Sequence, residues 1–82
     1  MDKDSPPPSL CIVVPCYNEE EALAATARTL YSLLGEMVQA GEVTPESYIC
    51  FVNDGSGDKT WQVIEGLMGQ SRAFRGVNLS RK

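Results

Sequence analysis

Histidine is absent from this 82-residue chain, which removes the usual partner for a zinc site and the usual base for a cysteine nucleophile. The three cysteines, Cys11, Cys16 and Cys50, are odd in number and have no CxxC spacing, so reduced thiols are expected and not a disulfide framework. Cys11 and Cys50 fall inside apolar runs and read as inert core. Cys16 falls at a strand's end without a base beside it. Basic residues are also scarce: seven Lys and Arg against eleven Asp and Glu give a net charge of -4, which argues against non-specific nucleic-acid binding. The few that exist gather late, at Arg72, Arg75, Arg81 and Lys82. No apolar run approaches the roughly 20 residues that span a bilayer, and Met1 to Ser5 lack the basic start and apolar block of a signal peptide. The expected location is therefore cytoplasmic, or the cytoplasmic face of a membrane if the parent protein carries C-terminal transmembrane helices. Finally, no GxGxxG follows the first strand and no GxxxxGK[ST] occurs anywhere, so neither a dinucleotide fingerprint nor a Walker-type phosphate cradle is present.

What the chain does contain is organised around Tyr48 to Asp58. This stretch begins as an unbroken apolar run, the composition of a strand buried on both faces, and ends in a polar turn of Asp54, Gly55, Ser56, Gly57 and Asp58. The glycines permit backbone angles closed to other residues, and Ser56 or Asp58 can accept from the free amides of a following helix. Upstream, Met1 to Pro8 reads as a disordered or polyproline leader, in which Asp2-Lys3-Asp4 has the form of a metal-binding Asp-x-Asp but lacks a rigid frame. Ser9 to Val14 reads as a first, central strand closed by Pro15. Asn18 is a good helix N-cap with Glu21 placed as in a capping box, and Glu19 to Glu21 suit the positive end of a helix dipole. A helix is expected from about Glu19 to Gln39, with Leu23, Ala27, Leu30, Leu34 and Met37 forming an inward stripe widened by Leu33 and Val38, and with Gly41 as its C-terminal stop. A second helix should cover Lys59 to Met68, turn Val63, Ile64, Leu67 and Met68 inward, carry Trp61 near the strand ends and close at Gly69. Gln70 to Arg75 reads as a polar loop before a short third strand, Val77 to Leu79.

The order β-α-β-α-β implies an α/β fold with a parallel sheet, the mononucleotide-binding half of a doubly wound architecture. In such a sheet the turns after paired strands emerge at one edge beside the helix N-termini. Tyr17 and Asp54 should then share a crevice with an aromatic face, a carboxylate acceptor and free amides. That suits a nucleotide, its base stacked on Tyr17 and its base or ribose donors held by Asp54. A non-catalytic nucleotide-binding or interaction module fits the same features. A receiver-like phospho-acceptor domain fits less well, because Pro15-Cys16-Tyr17 stands where its acid pair would follow the first strand.

Val13-Val14-Pro15-Cys16-Tyr17-Asn18-Glu19-Glu20, followed by Phe51-Val52-Asn53-Asp54-Gly55-Ser56-Gly57-Asp58-Lys59-Thr60, resembles the opening of the family 2 glycosyltransferases, with motifs VPxYNEE and V-D-D-G-S-x-D-x-T. The likeness is strongest to the branch of dolichyl-phosphate mannosyltransferases and polyprenyl-phosphate (bactoprenol) glucosyltransferases, and it covers nearly all of residues 9 to 82. It implies a GT-A (Rossmann-like) sheet and a nucleotide-sugar pocket lined by Pro15, Tyr17, Glu19, Val52 and Asp54. Asn53 departs from the pattern, which has Asp there; a turn held by the Asn53 side chain is the alternative role for that position. Val77 to Arg81 looks like the family's third strand entering S-R-N-x-G-H.

The resemblance further implies an inverting transfer of a hexose from a UDP- or GDP-sugar to a polyprenyl phosphate, with Mg²⁺ or Mn²⁺ held by an Asp-x-Asp expected downstream of Lys82. No catalytic carboxylate or metal ligand is expected within these residues, and the chain alone is expected to be inactive. Its sheet edge calls for further strands and also leaves room for a homo-oligomer.

Overall fold

The computed structural model describes residues 6–55 and 57–79. Asp2, Lys3 and Asp4 of the leader, Ser56 in the second turn, and Arg81 and Lys82 lie outside the described residues. The elements run β1 (Cys11–Cys16), α1 (Leu23–Gln39), β2 (Tyr48–Asp54), α2 (Thr60–Gln70) and β3 (Phe74–Leu79). All three strands are parallel in the order β1-β2-β3, with Cys11 opposite Tyr48, Cys16 opposite Asn53, and Ile49 opposite Phe74. The α/β class and the β-α-β-α-β order expected from the sequence are both present.

β2, not β1, is the central strand. Pro15 lies within β1 opposite Val52 instead of closing the strand, because among the described residues β1 pairs only with β2 and its other edge makes no ladder that a missing N–H would break. Both connections step the same way across the sheet, so right-handed crossovers place both helices on one face. That face carries the core: Leu23, Ala27, Ile49, Phe51 and Ile64 are wholly buried, and Phe51 and Phe74 stack with ring centroids 5.9 Å apart. Burial alternates along β2, the odd-numbered residues Ile49, Phe51 and Asn53 being buried and their neighbours half-buried.

The opposite face is open, contrary to the expectation of strands buried on both sides. Val13 is 61% exposed, and Val77 and Leu79 are exposed on the same face across β2. Cys11 is exposed and Cys50 half-buried, so neither is the core residue its apolar run suggested. On this face the Arg75 guanidinium sits 3.9 Å from the centre of the Tyr48 ring. A hydrogen bond with Cys11 pushes the Tyr48 phenol above its ordinary pKa.

Helix α1 begins four residues later than its charge pattern implied. Asn18 takes a left-handed conformation (φ 52°), Glu19 to Ala22 form turns, and Ala22 occupies the N-cap with no side-chain cap. Asn18 and Glu21 therefore make no capping box, and the Glu run precedes the helix. The stripe is as expected at Leu23, Ala27 and Leu34, with Leu30, Met37 and Val38 packed at its margin, but Leu33 points outward at 48% exposure. At the other end Gly41 (φ 76°) donates to the Val38 carbonyl and Glu42 to that of Met37, the paired bonds of a Schellman stop.

In α2 Ile64 and Leu67 are buried, with Trp61, Val63 and Met68 partly so. The helix runs through Gly69 to Gln70 and is ended by Ser71, which adopts an extended conformation. β3 starts at Phe74, inside the stretch read as a polar loop, because the Phe74 ring enters the core and packs against Phe51 and Tyr31. At the start of the sheet Leu10 donates to the Ser47 hydroxyl, Tyr48 to the Leu10 carbonyl, and Thr44 to the carbonyl of Pro8.

Candidate functional site

β1 and β2 end side by side, and each feeds a turn that leads to a helix N-terminus. Continuing the register past the Cys16–Asn53 pair brings Tyr17 level with Asp54 at the C-terminal edge of the sheet. The pleat puts Pro15 and Val52 on the open face, and Tyr17 and Asp54 continue the same alternation. Tyr17 is 62% exposed, so its phenol has a free surface, while Asp54 and Val52 are half-buried. Four of the five residues singled out from the sequence thus lie along one face at one edge. The fifth, Glu19, lies in the turn after β1, with its carboxylate accepting from the Tyr17 amide at 3.4 Å.

The two turns are bonded to each other. The Glu19 amide donates to the Thr60 hydroxyl at 2.8 Å, and the Glu20 amide to Asp58 Oδ2 at 3.3 Å. In return Gly57 donates to Asn18 Oδ1 at 2.8 Å, and Lys59 to Glu20 Oε1 at 3.2 Å. Asp58 Oδ1 accepts from both the amide and the hydroxyl of Thr60, which provides the expected acceptor at the start of α2. The Thr60 hydroxyl, by donating to it, holds the Asp58 carboxyl below its ordinary pKa. Between the turns is a recess of about 420 Å³ lined by Asn18, Glu19, Glu20, Glu21, Ala22 and Asp58. Its walls are acidic, and among the described residues no three His, Cys, Asp or Glu side chains come together in a cluster that could by itself hold a metal ion.

Cys16 is 1% exposed, and its thiol is pushed up to about 11, chiefly by burial and then by the negative charge of Glu19. A thiol so protonated at neutral pH is packing, not a nucleophile. Asn53 is also buried, on the helix side of the sheet and not on the face of Asp54; its Nδ2 donates to Asn78 Oδ1 at 2.9 Å. Asn53 makes this cross-strand contact because residue 53 still belongs to β2 and the pleat directs it inward. Sequence reasoning missed Thr60 as a contact of the first turn. Its signals were its place at a helix start and at the end of the second motif, neither of which points to a partner 41 positions upstream.

Comparison with known proteins gives a consistent result. Residues 11–82 match the family described as glycosyl transferase family 2. The uncharacterized glycosyltransferase YkoT of Bacillus subtilis is 36% identical over 73 residues, covering 89% of this chain and 22% of its own length. The uncharacterized glycosyltransferase sll0501 of Synechocystis sp. is 42% identical over 72 residues, covering 88% of this chain and 21% of its own. The chain thus spans about one fifth of the length of these relatives.

Proposed function

Because the chain belongs to glycosyl transferase family 2, we propose that it forms the nucleotide-sugar-binding part of an inverting hexosyltransferase that moves a hexose from a UDP- or GDP-sugar to a polyprenyl phosphate. The observation that supports this reading most is the shared edge: an exposed aromatic ring and a carboxylate continue one face of a parallel sheet, beside two helix starts. Tyr17 offers its ring to the base, and Asp54 accepts hydrogen bonds from base or ribose. Pro15 and Val52 form the apolar floor, and Glu19 flanks the base from the turn.

The chemistry asks little of this part of the protein. An acceptor phosphate is already ionised near neutral pH, so its oxygen forms the new bond to the anomeric carbon as the bond to the nucleoside diphosphate breaks on the opposite side. Orientation and charge stabilisation then dominate. The divalent cation, Mg²⁺ or Mn²⁺, would neutralise the departing diphosphate, and this reading assigns its ligands to carboxylates outside the described residues. No helix among the described residues is long and apolar enough to cross a membrane.

Titration of the chain with UDP, UDP-glucose and GDP-mannose tests the reading. Saturable binding that is lost in Asp54→Ala is the expected result, together with no sugar transfer by the 82-residue chain alone. Absence of binding at millimolar ligand, or binding indifferent to Asp54→Ala, would overturn it.

A further inference from the structure

Glycine or left-handed backbone marks both turns at the strand ends. Gly55 is left-handed (φ 70°) and Gly57 follows closely, while on the other side Asn18 also takes a positive φ (52°). Turns of this composition hold a ligand-binding geometry only if something else fixes them, since ordering them at the moment of binding would subtract from affinity. The structure contains such a fixture, and Thr60 is its centre.

The Thr60 side chain is wholly buried, so it cannot touch a ligand. Its hydroxyl accepts from the Glu19 amide in the first turn and donates to Asp58 Oδ1 in the second. A hydroxyl committed in both directions has one orientation. Asp58 splits its two oxygens in the same manner: Oδ1 serves α2 through the Thr60 amide and hydroxyl, and Oδ2 reaches the Glu20 amide across the gap. Together the two side chains tie the segment two and three residues after Tyr17 to the segment four and six residues after Asp54.

We propose that Thr60 and Asp58 are positioning residues that hold the Tyr17 turn against the Asp54 turn, so that the nucleotide meets a preformed clasp. This inference rests on the donor-site reading above. It assigns a task to two side chains that do not themselves line the base-binding face.

The test compares Thr60→Val, which keeps the β-branched shape and loses the hydroxyl, with Thr60→Ser, which restores it. Asp58→Asn is the third variant, because its remaining carbonyl oxygen can still serve α2 while the Glu20 amide loses its acceptor. Each is titrated with UDP and GDP well below its unfolding midpoint, and the exchange rates of the Glu19 and Glu20 amide protons are followed by NMR. Thr60→Val and Asp58→Asn should each weaken nucleotide binding about five- to tenfold, since each removes one of the two hydrogen bonds by which these side chains reach across to the first turn. Thr60→Ser should stay within about twofold of the parent by the same reasoning. Exchange should quicken at Glu19 in Thr60→Val and at Glu20 in Asp58→Asn.

A merely structural role would lower the unfolding midpoint and leave the affinity of the folded protein unchanged; that outcome overturns the proposal. So does a serine variant as weak as the valine one. If Thr60→Val does not fold, Asp58→Asn decides alone. If the unsubstituted chain binds neither nucleotide, the donor-site reading falls and this inference with it, whereas unchanged affinity in the variants sinks this inference only.

Discussion

Replacing Gly76 by alanine should destabilise the protein, although the same replacement at Gly66 should stabilise it. Gly76 lies in β3 directly beneath α2, and a Cβ built there would stand 2.5 Å from Cγ2 of Ile64, 3.2 Å from the Trp61 ring and 3.4 Å from the Met68 sulfur. Contact at 2.5 Å is closer than real Cβ atoms tolerate, and Ile64 is wholly buried, so its methyl has nowhere to retreat. Either α2 lifts from the sheet or Ile64 leaves its rotamer, and overpacking of this kind costs about 1–3 kcal/mol. A stiffer unfolded chain returns about 0.4–1 kcal/mol, leaving a net loss of about 1–2 kcal/mol. In a domain this small that corresponds to a fall in Tm of about 5–15 °C. Gly66 and Gly35 are helical and have no atom within 4 Å of a built Cβ, so alanine there should add about 0.5–1 kcal/mol each. Urea unfolding followed by circular dichroism measures all three, with an unchanged slope confirming that only stability has moved. A Gly76→Ala protein as stable as the parent would refute the tight approach of α2 to β3, and with it the placement of Thr60 at the head of that helix.

Three other expectations are open to direct measurement. Asn53→Asp would put a carboxylate at a site only 4% exposed, opposite the Asn78 oxygen, and should cost about 1–3 kcal/mol in urea unfolding above the carboxyl pKa and less below it; equal stability at both pH values contradicts the buried cross-strand pair. Iodoacetamide should alkylate exposed Cys11 well before Cys16, whose buried thiol is pushed up to about 11; peptide mass mapping that finds Cys16 modified as fast would place it at the surface. The lowered Asp58 pKa means that the folded state favours its carboxylate, so this contribution to stability is complete above the ordinary value of 3.8 and is lost as pH falls through the lowered one. Acid unfolding of Asp58→Asn should accordingly lack part of the parent's pH dependence, and superimposable acid limbs would contradict the bond from Thr60.

The fold class was legible because it depends on local pattern. Two apolar runs and two amphipathic stretches in alternation leave few arrangements other than a parallel sheet, and Gly41 marks its helix end by a conformation that glycine favours. What was not legible depends on distant partners. The Glu19 and Glu20 amides look like helix-start amides until Thr60 and Asp58 arrive from the other turn, and that displaces α1 to Leu23. β3 was half hidden because Phe74 and Gly76 occupy the helix side, and a glycine leaves no apolar mark in the alternation. Runs such as Leu10 to Val14 read as buried on both faces, yet the single-sided placement of the helices leaves Cys11 and Val13 exposed. At the site, sequence placed Tyr17 and Asp54 at neighbouring strand ends, and the register brings them level; the fixture behind them needed coordinates.

The central claim is that two strand-end turns hold the same nucleotide. Two-dimensional amide NMR of the chain, titrated with UDP and with GDP, tests it most directly. The account predicts that the Tyr17, Glu19 and Asp54 signals move together along one saturable curve for at least one of the two nucleotides. Saturable shifts confined to one turn, or centred on Tyr31 and Ser47 at the far end of the sheet, would contradict it.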